Sequence, residues 1–174
     1  MPNLKSALVL ESGVDFSVVE SSESGPFILV FLRHLGCLFC KQQVQVLKSS
    51  TARIYFVSHA SVSEVQEFVK VFTPGHPVVS DTRMSLYQEF GMKKGGFGQM
   101  FSPRVIMNGV KANLAGLRQS GRPAQDPWIL GGWALILEGG ATDSTHPAKD
   151  ASDILLPDSA EALMAKGIQN RQEK

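Results

Sequence analysis

Four residues in one short stretch, Arg33, His34, Cys37 and Cys40, have the types and spacing for thiol chemistry. Cys37 and Cys40 are the only cysteines in the chain and form a Cys-x-x-Cys pair, the spacing of two thiols one helical turn apart. A thiolate is the form that attacks disulfides and peroxides. It is favoured at a helix start, where unpaired N–H groups and the positive end of the helix dipole face it. His34, three residues before Cys37, is placed to stabilise that thiolate or to move a proton, and Arg33 to lower the thiol pKa by its charge. Plainer readings stand beside these. Free cysteines are common core residues, a loop histidine is often half-exposed, and a strand-end arginine is usually solvated. A structural zinc site wants about four N or S ligands, and a second Cys-x-x-Cys is missing.

The elements around the pair decide whether it is positioned for chemistry. Phe27-Ile28-Leu29-Val30-Phe31-Leu32 is an apolar, partly β-branched run, the signature of a strand buried on both faces, and it leads through Gly36 into the cysteines. Val44 and Leu47 are in helical phase with Cys40, so Cys37 is expected where strand turns into helix. Before this unit, residues 7–10 and 16–19 flank a turn at Gly13 and predict an N-terminal β-hairpin. After it, residues 53–57 read as a strand, and Ser61-x-x-Glu64 as a capping box opening a helix that ends at Thr73-Pro74-Gly75. Residues 77–79 read as a strand, and Asp81 or Thr82 as the cap of a helix stopping at Gly91. Residues 93–98 form a basic, glycine-rich loop, and a helix follows Ser102-Pro103 through Val105, Ile106, Val110, Leu114 and Leu117. Residues 118–127 are loop-like, and residues 133–137, between two Gly-Gly pairs, read as a strand with a tight turn after it. The tail from about 141 is weakly patterned, with a final helix over about 159–165. Strands alternating with helices predict an α/β fold: a thioredoxin-like sandwich with a mostly parallel central sheet covered on both faces.

At 174 residues and 43% hydrophobic composition the chain suits one domain. Its formal net charge of +1, with basic residues scattered along the sequence, gives no footprint for nucleic acid or an anionic membrane. The N-terminal apolar stretch, broken by Glu11, is too brief for a signal peptide or a spanning helix. Two cysteines spaced for a local redox pair suit a reducing, cytoplasmic compartment.

The chain resembles the peroxiredoxin-like branch of the AhpC/TSA family in the thioredoxin superfamily. The likeness rests on Phe31-Leu32-Arg33-His34-Leu35-Gly36-Cys37-Leu38-Phe39-Cys40, then on Leu86-Tyr87-Gln88-Glu89-Phe90-Gly91-Met92, then on Asp126-Pro127-Trp128-Ile129-Leu130-Gly131-Gly132. It implies an antioxidant thiol oxidoreductase in which Cys37 is the more exposed nucleophile and Cys40 the resolving thiol. It also implies a peroxide or disulfide substrate, a thiol electron donor such as thioredoxin or glutathione, and no cofactor; a homodimer is compatible with it. Val30 and His34 stand where ordinary peroxiredoxins carry a proline and a Thr or Ser, and Leu130-Gly131-Gly132 where they bring an arginine before a late strand. Arg33 or Arg104 would then take that arginine's part, and another sheet strand would be expected after Gly140, where residues 141–150 make a poor one. The reading of another class is a thioredoxin-fold binding or regulatory module whose cysteines no longer turn over.

Overall fold

The computed structural model describes residues 8–118 and 125–172. Its centre is the run expected as a doubly buried strand. β2 (Phe27–Phe31) is buried at all five positions, with Ile28 and Val30 facing one core and Phe27, Leu29 and Phe31 the other. β1 (Leu8–Leu10), β3 (Ile54–Ser58), β4 (Val78–Asp81), β5 (Gly132–Ile136) and β6 (Thr142–Pro147) complete a six-stranded sheet in the order β1-β4-β3-β2-β5-β6. β2, β3 and β4 are mutually parallel, while β1, β5 and β6 run antiparallel to their neighbours.

Helices cover both faces. α1 (Val18–Ser22) precedes β2, and α2 (Leu38–Leu47) follows it. α2 sets Cys40, Val44 and Leu47 against the Ile28/Val30 face, where α3 (Val62–Phe72) adds Val65 and Phe68. Ser61 and Glu64 close the expected capping box of α3, and Thr73 ends the helix in the left-handed region. The other face takes Leu86, Tyr87 and Phe90 from α4 (Ser85–Glu89) and the residue after it. The Asp81 carboxylate, at the end of β4, accepts from the N–H groups of Ser85 and Leu86 and so caps α4. The Tyr87 hydroxyl is shared between the carbonyls of Leu32 and Val57, fixing the ends of β2 and β3 where the chain leaves the sheet. α5 (Phe97–Phe101) and α6 (Pro103–Leu114) lie beyond α2, and α7 (Pro157–Gln172) packs Ala160 into the first core.

Four local expectations are corrected. The N-terminal turn forms at Gly13 and Val9 bridges Asp15, yet the second hairpin arm ends there. The Ser17 side chain accepts from the Glu20 N–H and starts α1 in its place, while β1 pairs with β4. Residues 142–147, expected as a poor strand, form β6: an edge strand facing solvent needs backbone partners more than apolar side chains, and β5 supplies them. The loop over 93–98 turns helical from Phe97. The last helix runs further in both directions than the apolar pattern indicated.

Candidate active site

The site is built where β2 gives way to α2. The chain leaves the sheet at Leu32 and turns through His34–Gly36, with the Cys37 N–H donating to the His34 carbonyl at 3.0 Å. Cys37 is the N-cap of α2, in an extended conformation, and its carbonyl accepts from the Lys41 N–H. Cys40 lies one turn inside, and the two cysteines are 3.7 Å apart. Strand-to-helix placement of Cys37 thus holds as expected. Its exposure does not: Cys37 is only 3% exposed, because the side chain turns inward into the core that Cys40 and Val105 share.

Arg33 is buried as well, which a strand-end arginine rarely is. Its Nε donates to the Ile129 carbonyl (3.2 Å) and its Nη2 to the Pro127 carbonyl (2.8 Å). Nη1 points to Cys37 Sγ at 3.5 Å, and Nη2 also meets Met100 Sδ at 3.3 Å. The backbone N–H of Arg33 donates to Cys40 Sγ at 3.1 Å. One residue therefore reaches both thiols, by charge to Cys37 and by its backbone to Cys40. Arg104, the other candidate, lies on the surface and pairs with Asp150. The arginine cannot come from Gly131, because a side chain there would collide with the Phe31 carbonyl.

This surrounding separates the two thiols. The Cys37 pKa is held down to about 6, first by the hydrogen bond from the Cys40 thiol. The Arg33 charge and the N–H groups of Cys40 and Phe39 add to it, against the opposing effect of burial. Burial pushes the Cys40 thiol up, and its neighbour Cys37 pushes it further. The arrangement favours the thiolate on Cys37 over one on Cys40 and leaves the shared proton with Cys40.

His34 does not support the thiolate by charge. It is 3% exposed, and burial, with Arg33, His59 and Lys41 nearby, lowers its pKa to about 4. The ring is neutral at pH 7 and lends the thiolate no positive charge. Its Nδ1 and both ring nitrogens of His59 are buried without a hydrogen-bond partner, and the His59 ring meets the Tyr87 ring edge-on at 5.4 Å. Lys41, missed by the sequence reading, is buried on α2, donates to the Arg118 carbonyl at 2.7 Å and lies 5.3 Å over the Phe72 ring. Burial lowers its pKa, and the two thiols oppose that shift. The only sequence signal for Lys41 was its place one residue after Cys40. Among the described residues no group of three or more His, Cys, Asp or Glu is arranged to hold a metal. A cavity of about 20 Å³, lined in part by Arg33, Cys40, Phe39, Gln43 and Gly131, touches Cys40 but not Cys37.

Comparison with known proteins agrees with this architecture. The AhpC/TSA antioxidant enzyme family model matches residues 41–149, beginning immediately after Cys40. Peroxiredoxin-like 2C of Mus musculus is 26% identical over 102 residues, which cover 52% of this chain and 44% of that protein. The chain thus spans less than half the length of the curated relatives it matches. Among solved structures, a cysteine-to-serine mutant of PrxQ from Xylella fastidiosa superposes with a TM-score of 0.55 at 16% identity, over 97% of this chain and 91% of that one. A secreted disulfide oxidoreductase of Mycobacterium tuberculosis gives 0.52 at 15% identity, over 94% and 96%. Likeness at these identities establishes the thioredoxin-type fold. With a family model covering well over half of its residues, the chain belongs to the AhpC/TSA antioxidant enzyme family.

Proposed function

We propose that this protein is a thiol-dependent oxidoreductase that uses Cys37 and Cys40 to reduce a peroxide or a disulfide. The observation that carries the reading is the asymmetry of the paired thiols: the hydrogen bond from Cys40, with Arg33 beside it, holds the Cys37 thiol down while burial pushes Cys40 up, in the sense a nucleophile and a resolving thiol require. With a peroxide, the Cys37 thiolate attacks one oxygen and the O–O bond breaks. The departing oxygen leaves as alkoxide or hydroxide and takes up a proton, and Cys37 becomes a sulfenic acid. The Cys40 thiol then displaces water from Cys37 sulfur, closing a disulfide. An external dithiol, such as thioredoxin, or two equivalents of glutathione return both cysteines to thiols and carry away the two electrons' worth of oxidation. With a disulfide substrate, Cys37 forms a mixed disulfide, which Cys40 resolves as the substrate thiol leaves.

Arg33 is the residue placed to offset the negative charge that gathers on sulfur and oxygen as the bond breaks, in the part the resemblance assigned to Arg33 or Arg104. His34, neutral and with Nδ1 unpartnered, can accept a proton but cannot supply positive charge. No step needs a metal, flavin or nicotinamide.

A second reading, a binding or regulatory module of the same fold without turnover, is favoured by the burial of Cys37 and by the neutral His34 at the position of the family's Thr or Ser. Thiol alkylation followed against pH, with NADPH-coupled, thioredoxin-dependent reduction of peroxide and of a disulfide, separates the two. A midpoint near pH 6 with Cys37-dependent turnover is expected. A Cys37 pKa in the ordinary thiol range and no turnover on either substrate would establish the module instead.

A further inference from the structure

The α5–α6 surface carries a feature that the thiol chemistry does not use. At about 3.6 residues per turn, α6 points Val105 and Ala112 into the protein. Its opposite side carries Ile106, Met107, Val110 and Leu114, all exposed, with Arg104 and Lys111 along one border. α5 extends this face with Phe97 and Phe101, whose rings lie 4.9 Å apart, and Phe101 meets half-exposed Trp128. Phe97 is 74% and Leu114 84% exposed, values of a protruding surface rather than a groove.

The charge of this segment is one-sided. Residues 93–118 contain Lys93, Lys94, Arg104, Lys111 and Arg118 and no Asp or Glu. The whole chain has 17 basic and 16 acidic residues, so everything outside the segment holds 12 basic against 16 acidic. Of these cations, Arg104 and Lys111 border the apolar stripe on α6 itself, and Lys93 and Lys94 lie in the loop that leads into α5. Lys94 pairs with Asp126 and Arg104 with Asp150, while Lys93, Lys111 and Arg118 have no acidic partner among the described residues. Exposed pairs of this kind are weak and readily exchanged for another anion.

We propose that the α5–α6 face docks on an anionic lipid surface, laying the apolar stripe at the headgroup boundary with the cations on lipid phosphates. An apolar helix face bordered by Lys and Arg, with aromatic side chains at one end, is the chemistry that binds in the interface plane. A second copy fits less well: a two-fold interface sets the patch against itself, and with it cation against cation. An acidic protein partner would need a groove of its own to receive so exposed a face. The protein would lie on the membrane and not through it, since no helix among the described residues is long and apolar enough to cross one.

The test is co-sedimentation of the full chain with vesicles of phosphatidylcholine alone and with about 30% phosphatidylserine added. Binding is expected only to the anionic vesicles and should be lost as salt rises toward about 1 M, where charges are screened within a few ångströms. Lys111→Gln is expected to weaken binding about five-fold, and Lys93→Gln with Lys111→Gln about 25-fold. Ile106→Ser with Leu114→Ser, both exposed and harmless to the core, should abolish it while leaving the circular dichroism spectrum unchanged. Cys37→Ser should bind as the parent does, which keeps this result independent of the thiol reading. No binding to anionic vesicles, or equal binding by the parent and both double variants, overturns the proposal. So does a concentration-dependent dimer that Leu114→Ser dissolves, which would assign the face to a second copy.

Discussion

Arg33 and His34 are neighbours in the chain and opposites in environment. Both are buried, yet Arg33 spends its donors on two backbone carbonyls and Cys37 Sγ, while His34 leaves Nδ1 with no partner beside a second histidine in the same condition. The contrast follows from what each group can tolerate. A guanidinium cannot shed its charge on burial and persists there only if its donors are satisfied. An imidazole escapes the cost by losing its proton, and the lowered pKa of His34 is that escape. The electrostatic work at the thiols therefore falls to Arg33, and His34 is a neutral neighbour.

The largest test of this division concerns the sulfurs that Arg33 serves. Cys37→Ser should lose all turnover above the uncatalysed background in a thioredoxin-coupled assay. Cys40→Ser should instead complete one turnover and stop, leaving a sulfenic acid or a mixed disulfide on Cys37 that mass spectrometry detects. If Cys37→Ser turned over while Cys40→Ser did not form an adduct, the roles would be reversed.

Arg33→Met comes next. Without the guanidinium the Cys37 midpoint should move up from about 6 toward the ordinary thiol range, and alkylation at pH 7 should slow by about ten-fold. The variant also leaves the carbonyls of Pro127 and Ile129 without those donors, at a cost of about 1–3 kcal/mol for each group left buried and unpaired. Arg33→Lys should restore part of the acidity and little of the stability, since an ammonium carries the charge but not the planar fork. Equal alkylation profiles for Arg33→Met and the parent would transfer the role elsewhere.

His34→Leu should do the reverse: little change in the Cys37 midpoint, and a clear change in the acid limb of stability. The His34 pKa is lowered on folding, from 6.5 to about 4, so between those values the unfolded chain binds more protons than the folded one. Stability contributed by the neutral ring is full above about pH 6.5 and falls as pH drops toward 4, by about 2 kcal/mol once screening is allowed for. Urea titrations at about pH 7 and about pH 4.5 should show a smaller difference for His34→Leu than for the parent. An unchanged difference would mean that His34 takes up its proton as readily in the fold as in the unfolded chain, and the contrast with Arg33 would collapse.

The sequence announces whichever features depend on local pattern. The apolar run of β2, the phase of Cys40, Val44 and Leu47, the Ser61/Glu64 box and the Ser102-Pro103 start of α6 are all determined within a few residues, and all stand in the fold. What stayed hidden depends on partners far along the chain. Arg33 reads as a solvated strand end because the carbonyls that receive it, Pro127 and Ile129, lie more than 90 residues away. β6 has too little apolar character to be seen, since its strand state comes from the ladder with β5. The inward turn of Cys37 is likewise a three-dimensional fact, and it reversed an expectation drawn from linear order.

His59 provides the smallest and most discriminating test. Both its ring nitrogens are buried without partners, and burial lowers its pKa against the pull of Asp126, Asp81 and Glu64. A polar group held this way is a standing cost, so His59→Phe, which keeps an aromatic ring against Tyr87, should leave stability at pH 7 unchanged or raise it by up to about 1 kcal/mol. The Cys37 alkylation midpoint should not move. A loss of more than about 1 kcal/mol would show instead that the nitrogens are engaged, through a buried water bridging His34 and His59, and that this histidine pocket is a satisfied network like the one around Arg33.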